Sequence, residues 1–149
     1  MRTAYRVLAW LVAIEVVVQA AAIAYAMFGE SKYIDGGGVV DKALVESGTV
    51  DFEGVIGFPI HGINGQIVVP LIGLALLIVA FFAKIERGVA LAASTFGLIV
   101  LQMLLGMFGH GLPLLKLLHG LNALLVFGAA VAAVRAASAA MSGDRIAVV

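Results

Sequence analysis

Four apolar segments, at 7–28, 59–83, 88–109 and 112–134, take up most of this chain, and each has at least 22 residues. About 20 apolar residues in a helix span the hydrocarbon core of a bilayer. Inside lipid a segment must satisfy its own backbone hydrogen bonds, which leaves the α-helix as the form for such runs. Charged residues make up 12% of the chain, about half the share of an ordinary soluble domain. The class that follows is all-α: an integral membrane four-helix bundle forming a single domain over residues 1–149. Membrane lipid is the obligatory partner, and no nucleic acid is expected.

The connections predict the topology. Lys84-Ile85-Glu86-Arg87 and His110-Gly111-Leu112-Pro113 are short turns, and Pro113 suits the first turn of the fourth helix. Up-down-up-down order follows. With the N-terminus inside, the inner segments hold Arg2, Arg6, Lys84, Arg87, Arg135 and Arg145, whereas the outer ones hold Lys32, Lys42 and Lys116. This asymmetry fits the positive-inside rule and predicts a multi-pass protein of the cell membrane with both termini cytoplasmic. Arg2, Arg6 and the first apolar run also have the look of a secretory leader. The run is long for one and is interrupted by Glu15 and Gln19, so it reads as a span.

The outer loop, 29–58, is too long for a mere connection. Val39, Val40, Ala43 and Leu44 repeat there at helical spacing, which predicts a short amphipathic helix over 39–47. The chain has no cysteine, which excludes disulfides, iron–sulfur clusters and covalently attached haem.

The chemistry-bearing feature is a repeat. His61-Gly62-Ile63-Asn64 returns fifty-eight residues later as His119-Gly120-Leu121-Asn122, each copy near the start of an apolar segment. Gln19 in the first segment has a counterpart in Gln102 of the third, so the chain reads as two pseudo-symmetric hairpins. An ionisable residue inside a span is a functional hypothesis by default. Two imidazoles in the outer leaflet, at depths about one turn apart, suit the two axial positions of one haem. Gly65 and Ala123, four residues on, are small enough to leave room beneath each ring. Asn64 and Asn122 are candidates for a hydrogen bond to a porphyrin edge or to a neighbouring helix. Lys116, one turn above His119, is a candidate partner for a propionate, with Lys42 a weaker one.

Other readings stand beside this one. The histidines are otherwise interhelical hydrogen-bonding groups in a cofactor-free subunit, or, with His110, part of a zinc site. Glu15 either handles protons near a quinone or haem, or is a neutral acid bonded to Gln19 or Gln102. The glycines Gly62, Gly65, Gly73, Gly97, Gly106 and Gly109 read as close-packing positions.

Leu101-Gln102-Met103-Leu104-Leu105-Gly106, a short turn, and then His119 resemble the second hairpin of one half of a haem A synthase. In that family each half is a four-helix bundle with one histidine at the outer end of helix two and another in helix four. The chain also resembles small prokaryotic four-helix membrane proteins built on the same plan. The resemblance implies haem b ligated by His61 and His119, with Gln102 near the site, and electron exchange with a quinol or an external redox partner. The oxidising members carry a glutamate three residues before the first histidine, where this chain has Phe58. A membrane oxidoreductase activity of that kind therefore lacks its acid here. The family is normally double length, so a homo-oligomer of this chain would rebuild eight helices. A transient haem or porphyrin carrier is the remaining alternative.

Overall fold

The computed structural model describes residues 1–109 and 111–146, the side chains of 144–146 excepted. The elements are α1 (Arg2–Asp35), α2 (Lys42–Ser47), α3 (Gly57–Ile63), a π-helical turn (Asn64–Val68), α4 (Val69–Ala83), α5 (Gly88–Phe108) and α6 (Pro113–Ile146). No strand occurs among the described residues. Four helices, Arg2–Asp35, Gly57–Ala83, Gly88–Phe108 and Pro113–Gly143, are long and apolar enough to cross a membrane. That is the pattern of a multi-pass membrane protein.

The chain forms two compact units, one of residues 1–16 with 66–149 and one of residues 17–65. The core of the larger unit is built from small side chains. Ala9, Ala13, Ala80, Ala83, Ala92, Ala130, Ala133 and Ala137 are buried there around Tyr5, Val12, Leu76, Ile99 and Val126. Large apolar residues such as Leu71, Phe81 and Leu124 face outward. Lipid tails are as apolar as leucine, so nothing drives leucines inward, and small residues let helix backbones approach closely.

Both ends of this unit's α4–α5 turn are pinned. Lys84 and Arg87 adopt left-handed backbone conformations, at φ of 50° and 57°. Such residues each store about 1–3 kcal/mol of strain. Arg2 donates to the carbonyls of Ala83, Lys84 and Ala140, at 3.3, 3.2 and 3.4 Å. The fully buried Tyr5 donates its hydroxyl to the Gly88 carbonyl at 2.9 Å. Of these carbonyls, those of Ala83 and Lys84 lie at the end of α4, where a helix leaves such groups without an intrahelical partner.

In the smaller unit the segment after α2 lies against α1. Gly29, Gly54 and Gly57 meet the backbones of Glu53, Tyr25 and Ala22 so closely that a methyl at any of them would overlap a carbonyl oxygen. Phe52 stacks on Tyr33, centroids 5.7 Å apart, and meets Phe58 edge-on at 6.3 Å. Lys32 pairs with Glu53 at 2.6 Å.

Several boundaries differ from the sequence expectation. The first span, expected at 7–28, lies in a helix that continues to Asp35, so the connection begins at Gly36 rather than at 29. Contact with the Glu53 segment supports those extra turns. The fourth span, expected to end at 134, lies in a helix that runs to Ile146 on an alanine-rich stretch of high helix propensity. The loop helix starts at Lys42 instead of 39, because Asp41 caps it by accepting from the Leu44 N–H at 2.8 Å. Its residues are not buried.

Candidate histidine sites

Each histidine of the repeat sits within one unit and makes the same hydrogen bond there. His61, on α3, places Nδ1 3.1 Å from the main-chain oxygen of Gln19 on α1. His119, on α6, places Nδ1 3.0 Å from the main-chain oxygen of Gln102 on α5. A carbonyl oxygen only accepts, so a ring that donates to it carries its proton on Nδ1 and keeps the basic lone pair on Nε2. That is the tautomer of a histidine that binds a metal through Nε2, with its other nitrogen oriented by a backbone carbonyl.

The asparagines complete the pattern. Asn122 donates to the Leu98 carbonyl at 2.9 Å and to the side-chain oxygen of Gln102 at 2.7 Å. It is 4% exposed, and its own Oδ1 meets no donor among the described residues. Asn64 donates to the Gln19 side-chain oxygen at 2.9 Å when that amide is turned to pair all its atoms. Each glutamine thus holds a histidine with its backbone and an asparagine with its side chain.

The remaining expected residues fall as follows. The space beside Gly65 is taken by the Gln19 side chain, 3.2 Å from where a Cβ would stand. Ala123 is half-buried. Lys116 is exposed and lays its stem against Gly109, while Lys42 is exposed and pairs with Glu46 at 3.5 Å. Glu15 is half-buried midway along α1. His110 lies outside the described residues. Among the described residues no group of three or more histidine or carboxylate side chains is placed to hold a metal ion.

Two features were not singled out for the site by sequence. Gly106, read as a packing position, lies under the His119 ring: a Cβ there would stand 3.2 Å from Cε1 and 3.3 Å from Nδ1. The π-helical turn begins three residues after His61. Such turns are rare and gather at functional sites. Set against protein-family models, curated proteins and solved structures, the chain matches none of them.

Proposed function

We propose that this protein binds one b-type haem through His61 and His119 and serves as an electron-transfer module near the outer face of the membrane. The supporting observation is the doubled bond from imidazole Nδ1 to a glutamine carbonyl, at 3.1 and 3.0 Å. A single intramembrane histidine needs only some partner; here two in matching sequence contexts set Nδ1 against equivalent main-chain oxygens. The donor set fits haem b, which asks for two neutral imidazoles presenting Nε2. When bound, haem would supply a one-electron couple, and its ligation by His61 and His119 would favour electron transfer over oxygen activation.

This chain's residues do the rest. The Gln19 and Gln102 carbonyls orient the rings and raise their basicity, because a hydrogen bond from Nδ1–H pushes charge toward Nε2. Gly106 lets the His119 ring lie close to α5. Phe58 occupies the place of the haem A synthase glutamate and packs on Phe52, so this position offers no acid or base. Up-down-up-down topology, two pseudo-symmetric hairpins and cytoplasmic termini belong to the same reading, on the charge asymmetry of the segments.

The test is low-temperature electron paramagnetic resonance of the oxidised, haem-supplied protein. A low-spin signal lost in both His61→Ala and His119→Ala supports the proposal. Folded variants indistinguishable from the parent would instead favour a cofactor-free subunit.

A further inference from the structure

The two histidines are alike in their carbonyl partners and differ in what the side chains of their glutamines offer. The difference lies in the side chain of Gln19. Its amide must be turned so that Nε2 faces His61, since the opposite orientation sets its oxygen against acceptors only. Nε2 then stands 2.9 Å from the His61 carbonyl and 2.8 Å from His61 Nδ1, while Oε1 stands 3.2 Å from the Gly65 N–H.

In an α-helix the carbonyl of residue 61 and the N–H of residue 65 bond to each other. Here the π-helical turn opens at that point, and the Gln19 amide bridges the pair, donating to one and accepting from the other. A side chain inserted into the ladder is one of the known causes of such a break. Gly65 is the residue that admits it.

The bridge also gives His61 Nδ1 two neighbours of opposite character. With its proton on Nδ1, the ring donates to the Gln19 carbonyl at 3.1 Å. With its proton on Nε2, Nδ1 accepts from the Gln19 amide at 2.8 Å. His119 has no such choice from its glutamine, because Gln102 offers its ring a carbonyl and turns its side-chain oxygen to Asn122.

We infer that Gln19 is a positioning residue that holds the wide turn open and sets the tautomer of His61. The amide bond favours the Nε2–H ring and the carbonyl bond the Nδ1–H ring, so only the second leaves Nε2 of His61 with a basic lone pair.

The experiment is long-range proton–nitrogen correlation of the full chain, labelled with ¹⁵N-histidine and kept haem-free in detergent, at a pH where the rings are neutral. His61 should show a resolvable Nε2–H population. Gln19→Leu should move the His61 ratio toward Nδ1–H by about fivefold, the weight of one net hydrogen bond, and leave His119 unmoved. Gln102→Leu should leave His119 in its tautomer, since its partner is backbone. A parent His61 wholly in the Nδ1–H form would overturn the inference even if Gln19→Leu fails to fold. So would a folded Gln19→Leu with an unchanged ratio. A protein that takes no haem leaves the tautomer result standing while the functional reading falls.

Discussion

The Nδ1 atom of His119 lies 3.0 Å from the main-chain oxygen of Gln102, and the ring rests against Gly106 on the same helix α5. A methyl at residue 106 would stand 3.2 Å from the ring, tighter than most real contacts, so the imidazole must shift by a few tenths of an ångström. On the haem proposal, Gly106→Ala should therefore change the redox midpoint and the α-band. Gly97, on the same helix, faces open space. Gly97→Ala should leave the spectrum alone and raise stability by up to about 1 kcal/mol, the helix-propensity difference. Redox titration and thermal unfolding of the pair separate the two effects.

Asn122 joins α6 to α5 through the Leu98 carbonyl and the Gln102 side chain. Interhelical bonds of this kind in membranes contribute about 0.6 kcal/mol each, reaching about 1.7. Asn122→Ala should lower stability in detergent by about 1–2 kcal/mol without removing the His119 bond, which uses backbone. Equilibrium unfolding measures the loss, and the ¹⁵N tautomer of His119 should stay as it was.

Tyr5 is fully buried and its hydroxyl donates to the Gly88 carbonyl at 2.9 Å. Tyr5→Phe keeps the ring and removes one hydrogen bond to that carbonyl, which costs about 0.5–1.5 kcal/mol. Amide exchange should rise around residues 84–91, where Lys84 and Arg87 hold their left-handed conformations. Exchange that stays flat across that turn would separate the bond from the turn's stability.

The Lys32 ammonium, 2.6 Å away, holds the Glu53 carboxyl below its ordinary range. A carboxylate lowered in the folded state stabilises above its unfolded value and stops doing so as pH falls through the folded one. The 50–56 segment should accordingly loosen from α1 in acid, below the ordinary carboxylate range. Glu53→Gln should loosen it at all pH values and abolish the acid step. Both groups are exposed, so salt should weaken the effect. Limited proteolysis against pH reads it.

Length and apolarity made the four long helices legible, because lipid leaves a run of that size no other backbone form. Their ends were less so. The extension of α1 to Asp35 depends on Gly29 meeting Glu53, and that of α6 beyond 134 on alanines that carry no membrane signal. The histidine repeat and its two glutamines were visible as a pattern of letters. That both glutamines offer their carbonyls to Nδ1 could not be read, since a backbone acceptor leaves no mark on residue choice. The π-helical turn was hidden for a similar reason: Gln19, whose amide sits against it, lies 42 residues before His61. Gly106 looked like any packing glycine until its neighbour proved to be an imidazole.

The most direct test of the central claim is the absorption spectrum of the detergent-purified chain, produced with haem supplied, in its oxidised and dithionite-reduced forms. The account predicts a shifted Soret band and a sharp reduced α-band of six-coordinate haem b, with one haem per chain by pyridine extraction. A colourless, folded protein under the same conditions would contradict it.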